Sequence, residues 1–329
     1  MDGQPTFTVV IAAYQAAAFI GQAIESALEQ EPPPAEIIVG DDGSTDDLAG
    51  AVARFGDAVK VVRIEHGGEG AAKNAAVAAA SAEFVAFLDA DDRFLPGRLA
   101  AIGSLARERP DLDAITTNAY LVQDGLILGR CYEGGHRFSE TGQRAAILRG
   151  NFVLGLSAVR RERFDELGGF DTSVAYTVDW EFWIRLIFTG STIGYVGEPL
   201  AEYRLHPNSM SARRAAMSRG RLDSIARTEA RTDLSEDERR ILAATRRSEE
   251  ARLVREELKQ RLLDADHAGA RRAGVRLLFG ARQPRASRVK ALASVVVPAV
   301  AARKLRREEA LTFASVGDRR LPRPTDAEN

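Results

Sequence analysis

The chain has 329 residues, 45% hydrophobic and 28% charged, an ordinary globular composition that suffices for one sizeable core plus an appendage. Its single cysteine, Cys131, excludes a disulfide framework and a cysteine metal site; it reads as a small buried hydrophobe in a chain suited to a reducing compartment. The net charge of −2 argues against nucleic-acid binding by the whole chain, yet it hides an asymmetry: 17 Lys+Arg against 30 Asp+Glu up to Met210, then 28 against 17 from Ser211 onward.

The N-terminus has no basic segment ahead of an apolar run, so it is not read as a secretory signal. Residues 7–12 form a short β-rich apolar run, and residues 18–28 place Phe19, Ile20, Ala23, Ile24, Ala27 and Leu28 on one helical face. Pro32, Pro33 and Pro34 stop that helix ahead of a second strand at 36–40. A short helix at 47–54, a strand at 59–64, a helix at 71–80 and a strand at 83–88 follow. Strands buried on both faces and alternating with helices predict an α/β fold, a mostly parallel sheet flanked by helices.

Beyond Pro96 the spacing predicts a helix at 98–107 and strands at 114–122 and 126–132, joined by a hairpin turn at Asp124-Gly125. An apolar stretch at 152–159 precedes a helix ending at Gly168-Gly169, then a short helix at 179–188 and one or two closing strands in 191–205. From about Ser211 the chain is rich in Arg, Ala and Glu and reads as mainly helical. The expected organisation is a catalytic domain over 1–211, a basic helical region over 212–316 and a disordered tail over 317–329. No stretch reaches the ~20 apolar residues of a membrane span; residues 291–302 are too few and contain Pro298. A soluble or peripheral cytoplasmic protein is expected.

In an open α/β sheet, ligands gather at the carboxyl ends of the strands. Those ends carry Ala12-Ala13-Tyr14-Gln15, then Asp41-Asp42-Gly43-Ser44-Thr45-Asp46, then Gly67-Gly68-Glu69-Gly70 with Lys73 and Asn74, then Asp89-Ala90-Asp91-Asp92. A single Asp-rich turn is ordinary capping or turn chemistry. Two on successive strand ends point to a site, because the carboxylates repel one another unless a hard divalent cation is shared with phosphate oxygens.

These motifs, in this order, resemble family 2 glycosyltransferases of the GT-A fold. The likeness continues through Gly168-Gly169-Phe170-Asp171, through Val178-Asp179-Trp180-Glu181-Phe182-Trp183-Ile184-Arg185-Leu186 and through Tyr203-Arg204-Leu205-His206, and covers about residues 6–211. The resemblance implies an inverting, nucleoside-diphosphate-sugar-dependent transferase that uses Mn²⁺ or Mg²⁺. Its acceptor would be a glycan or lipid-linked hydroxyl, in cell-surface polysaccharide or glycolipid synthesis. It further implies that Tyr14 and the Ala12 backbone contact the nucleotide base and that Asp42 hydrogen-bonds it. Lys73 would lie near base and diphosphate, Asp89 and Asp91 would bind the donor, and Asp91 or Asp92 would hold the metal, with His206 approaching it. Asp179 matches the family's catalytic base, and Trp180, Glu181 and Trp183 fall on the acceptor side.

The chain departs from the family pattern at Ala12, Gln15 and Val178, and at Lys73, which lacks the bidentate fork of the usual Arg. No reacting group is lost. The chemistry holds without the likeness: the cation neutralises the leaving phosphates and a positioned base deprotonates the acceptor. The helix start at Asp179 is expected to keep it ionised; otherwise it is an N-cap. His66, His136 and His267 are assigned no role.

Two alternatives stay open: a haloacid-dehalogenase-like phosphatase, whose nucleophile would sit after the first strand, and a non-catalytic nucleotide-sugar-binding protein. A nucleotidyltransferase is disfavoured because residues 12–19 are not a Gly-rich, Arg-containing loop. Residues 267–307 hold eleven Lys+Arg and no Asp or Glu, interleaved with apolar residues. They read either as an amphipathic segment lying on an anionic membrane or as a helical appendage packed on the acidic domain.

Overall fold

The computed structural model describes residues 3–133, 136–206, 209–210, 213–231, 233–279, 292, 295–296 and 298–303. The expected tail at 317–329 and part of the basic stretch at 267–307 lie outside these residues. The chain divides into two compact units, Met1–Leu205 and His206–Asn329.

Among the described residues the first unit is built on one nine-stranded sheet. The strands are β1 (Phe7–Ala13), β2 (Glu36–Asp41), β3 (Lys60–Arg63), β4 (Phe84–Asp89), β5 (Arg93–Phe94), β6 (Leu112–Gln123), β7 (Leu126–Arg130), β8 (Ala158–Arg160) and β9 (Thr192–Arg204). The helices are α1 (Ile20–Leu28), α2 (Leu48–Ala53), α3 (Glu69–Ala78), α4 (Arg98–Glu108), α5 (Gln143–Arg149), α6 (Arg161–Glu166) and α7 (Val178–Phe188). The strand order is β3-β2-β1-β4-β8-β6-β9-β5, with β7 paired to β6.

The parallel pattern read from the sequence holds for β3, β2, β1 and β4. Beyond β4 the sheet is mixed: β8 runs antiparallel to both β4 and β6, whereas β9 is parallel to β6 and antiparallel to β5. β1 is buried almost throughout, as its largely apolar run requires. Its register sets Ala12 opposite both Gly40 and Asp89, so the two acidic loops flank the end of one central strand.

Helix α3 crosses β2 closely. A Cβ on Gly40 would lie 2.4 Å from the Ala72 carbonyl oxygen, so glycine alone lets the helix backbone settle there. That approach fixes where Lys73 sits. At the β6–β7 hairpin Asp124 and Gly125 take φ of 50° and 78°, as the turn was expected to demand. Two elements had no counterpart in the sequence reading: β5, only two residues long, and α5. The apolar stretch at 152–159 is mostly loop, with β8 beginning at Ala158.

The second unit contains α8 (Arg214–Arg231), α9 (Glu236–Leu263) and α10 (His267–Phe279). Ser235 and Glu238 form a reciprocal capping box at the start of α9. Leu258 and Leu262 of α9 bury against Ala270, Ala273 and Leu277 of α10 and against Ala302. Among the described residues no helix is long and apolar enough to cross a membrane.

Candidate active site

Four loops converge at the carboxyl edge of β1, β2, β3 and β4. At the β2 end, Asp41 is held by its neighbours: Oδ1 accepts from the Ser44 amide at 2.8 Å, and Oδ2 accepts from Arg63 at 2.8 Å. Gln15, in the left-handed region at φ 52°, staples the β1 loop to this turn. Its Oε1 accepts from the amides of Thr45 and Asp46, each at 3.0 Å.

Asp42 is buried. Its Oδ1 accepts from the Gly67 amide at 2.7 Å, and its Oδ2 accepts from the Gly68 amide at 3.0 Å and meets His66 Nδ1 at 2.9 Å. The carboxylate therefore shapes the loop between β3 and α3. The Tyr14 ring is 48% exposed and stacks on the His66 imidazole, with centroids 4.3 Å apart and planes 25° apart. His66, given no role from the sequence, thus belongs to this edge. Its only sequence signal is its place immediately before Gly67-Gly68 at a strand end.

Lys73 is buried in the centre of the site. Its ammonium donates to Glu69 and, at 2.9 Å, to Asp89 Oδ1. Burial pushes its pKa down, but the adjacent Asp89 and Glu69 more than offset that and hold the ammonium charged. Lys73 is thus committed to carboxylates inside the protein, and its influence on a ligand passes through Asp89. Part of the charge that the sequence reading left to a bound cation is met by these built-in cations.

Asp89 and Asp91 are half-buried, whereas Asp92 is 1% exposed. The Asp92 Oδ1 accepts from the Arg204 amide at 2.7 Å, and its Oδ2 is buried without a hydrogen-bond partner among the described residues. Burial first, then Asp89 and Asp91, raise its pKa well above the ordinary carboxylate value. Of the two carboxylates expected to hold the metal, Asp91 is therefore the more accessible and Asp92 the buried one. Among the described residues no three His, Cys, Asp or Glu side chains form a metal cage. Two accessible carboxylates nonetheless fit Mg²⁺ or Mn²⁺, which take one or two protein oxygens and fill the rest of their shell from phosphates and water. His206 is the first residue of the second unit.

Asp179 occupies the second position of α7; the N-cap is Thr177, so the capping alternative for Asp179 falls away. One oxygen accepts from the Trp180 amide at 2.8 Å and the other from Asn151 Nδ2 at 2.8 Å. Burial raises the Asp179 pKa, Asp89 adds to that, and the Trp180 amide, Lys73 and Asn151 only partly oppose it. The helix start does not keep this carboxylate at an ordinary value, and the shift makes it a stronger base.

Gly155 lies beside both carboxylates. A Cβ placed on it would come 3.8 Å from Asp179 Oδ2 and 3.9 Å from Asp89 Oδ2. Val178, where the family pattern has Glu, packs toward Gly70 of α3.

The acceptor-side expectation for Trp180, Glu181 and Trp183 is corrected, since all three are buried in packing. The Trp180 indole donates to the Ile147 carbonyl at 2.9 Å. Glu181 accepts from Arg185, whose guanidinium also donates to the carbonyls of Leu167 and Gly169 at 2.7 and 2.6 Å. This pair locks the turn before α7 and so aims Asp179.

An open sheet with two acidic strand ends and a buried base-side carboxylate is the GT-A arrangement. The family model for glycosyl transferase family 2 matches residues 8–168. The succinoglycan biosynthesis protein ExoU of Rhizobium meliloti is 32% identical over 74% of this chain and 71% of its own length. A putative teichuronic acid biosynthesis glycosyltransferase, TuaG of Bacillus subtilis, is 28% identical over 64% of this chain and 82% of its own. Against several other relatives the chain spans 63–67% of their length. Among solved structures, the mannosyltransferase PcManGT from Pyrobaculum calidifontis, in complex with GDP-Man and Mn²⁺, superposes with a TM-score of 0.59. That match covers 96% of this chain and 87% of the other, at 18% identity. The chain belongs to glycosyl transferase family 2. The phosphatase alternative finds no support in these likenesses.

Proposed function

We propose that the protein moves a sugar from a nucleoside-diphosphate sugar to an acceptor hydroxyl with inversion, in the synthesis of a cell-surface polysaccharide or glycolipid. The observation that carries this reading is that Asp89 and Asp179, one at a strand end and one at a helix start, both come beside Gly155. A displacement needs a donor-holding group and an acceptor-deprotonating group across one reacting centre. Tyr14 with His66 would stack the base, framed by Asp42 and the Ala12 backbone. Asp89, kept in place by Lys73, would take the ribose. Asp91 would hold Mn²⁺ or Mg²⁺, which when bound supplies Lewis-acid neutralisation of the leaving phosphates. Asp179 would accept the proton of the acceptor hydroxyl.

A thermal-shift panel of UDP-, GDP- and dTDP-sugars, with and without Mn²⁺, tests the donor assignment. One nucleotide series should raise Tm in a Mn²⁺-dependent way, and release of its nucleoside diphosphate should follow on incubation. No shift from any member would contradict the reading; a shift without turnover would support a non-catalytic binding protein instead.

The same proposal places the protein on the cytoplasmic face of a membrane. Leu292, Val296 and Val300 are 53%, 62% and 60% exposed and recur every four residues, and Arg271, Arg272 and Arg276 are exposed on α10. Apolar residues at that spacing within a basic stretch suit an anionic lipid surface. The full chain should co-sediment with vesicles containing phosphatidylglycerol, and high salt should release it. Equal binding to neutral vesicles, or none to either, would leave this region as a structural appendage.

A further inference from the structure

Gly155 has no structural reason to be glycine. Its φ lies outside the left-handed region, so a side chain would bring no backbone strain. Nor is the backbone closely approached: among the described residues, its chain neighbours aside, the heavy atoms within 4 Å of an added Cβ are the two carboxylate oxygens, both at ordinary van der Waals distance. The Cβ direction therefore opens into unfilled space bounded by Asp89 and Asp179.

The loop that carries Gly155 is anchored on several sides. Asn151 bonds Asp179 at 2.8 Å, and Asn151 Oδ1 accepts from the Val153 amide at 3.1 Å. Tyr132 donates its hydroxyl proton to the Phe152 carbonyl at 2.7 Å, and the buried Arg98 donates to the Leu156 carbonyl and to Thr117. The Phe87 amide donates to the Ser157 carbonyl at 3.1 Å, tying the loop's end to β4. A side chain at 155 could not readily be accommodated by the loop retreating, because these bonds hold it from both ends.

We propose that Gly155 is a steric determinant of the transfer step. Having no side chain, it keeps open the gap between Asp89 and Asp179 in which the donor's transferred sugar and the acceptor hydroxyl meet. This rests on the donor and base roles given above. It explains a glycine that neither φ nor packing demands, and it assigns the floor of the cleft to the loop between α5 and β8. The consequence is steric and graded, because each added carbon occupies volume where the reacting atoms must come together.

The test is the series Gly155→Ala, Gly155→Val and Gly155→Leu in the full chain. It is read by Tm, by Mn²⁺-dependent binding of UDP, GDP and dTDP, and by nucleoside diphosphate release from the matching nucleotide sugars. Tm should stay within ~3 °C of the parent, and nucleoside diphosphate affinity within about twofold. Turnover should fall ~10-fold for alanine and ~10²-fold or more for valine and leucine. Undiminished turnover in the leucine variant would overturn the proposal. So would a loss that tracks Tm or nucleoside diphosphate affinity instead of side-chain size. A parent protein that binds none of UDP, GDP and dTDP would instead sink the donor reading beneath it.

Discussion

Replacing Asp179 with asparagine is expected to lower sugar transfer by about 10²–10⁴-fold while leaving donor affinity nearly intact, the range for loss of a general base. The amide keeps the shape and the ability to accept from the Trp180 amide, so α7 should still start in place. What it loses is the capacity to take a proton. The pH profile supplies a second signature. Burial and the facing Asp89 carboxylate raise the Asp179 pKa, whereas Lys73 and Asn151 favour its ionised form without cancelling the shift. A base works only when deprotonated, so parental activity should fade as pH falls through a value above the ordinary ~3.9 of aspartate. That limb should vanish from the residual activity of the variant. Near-normal transfer with an unchanged acid limb would remove Asp179 from the chemistry. Equal losses in donor affinity and turnover would make it a donor-binding group instead.

The second large effect is expected at Asp91. With Mn²⁺ and a nucleoside diphosphate at about 100 times its Kd, the parent should gain ~2.7 kcal/mol of stability by linkage. Asp91→Ala should lose the Mn²⁺-dependent part of that gain. Asp92→Asn provides the contrast, since Asp92 is buried and its Oδ1 is engaged by the Arg204 amide. It should keep the metal response whatever its unliganded Tm. Undiminished Mn²⁺-dependent stabilisation of Asp91→Ala would show that the cation is held elsewhere.

The sequence was legible where local pattern and physics coincide. The strands β1, β2 and β4 are short apolar runs buried on both faces, and each ends in the polar residues that its loop presents. Asp124-Gly125 could be read because a tight hairpin turn needs those conformations. What could not be read depends on contacts between distant residues. The two-residue β5 exists only because β9 returns to pair with it, with Arg93 opposite Glu202. Lys73 read as a ligand-facing charge until α3 was seen pressed onto Gly40, which buries the ammonium against Asp89.

The apolar stretch at 152–159 carried no clear period, and bonds from Arg98, Tyr132 and Asn151 hold most of it as a loop. Trp180 and Trp183 were ambiguous for a related reason. Aromatic residues on a short helix serve a core or an acceptor equally well until the neighbouring layers are placed. Asp179 could be located but not its basicity, because a helix start favours the anion while burial opposes it. In the folded protein burial prevails.

The central claim is a single displacement in which Asp179 deprotonates the acceptor while the nucleoside diphosphate departs from the opposite face of the sugar. The measurement that tests it most directly is the anomeric configuration of the first-formed product, followed by proton NMR from a donor of known configuration. The account predicts inversion at every turnover. A product that retains the donor's configuration would contradict it.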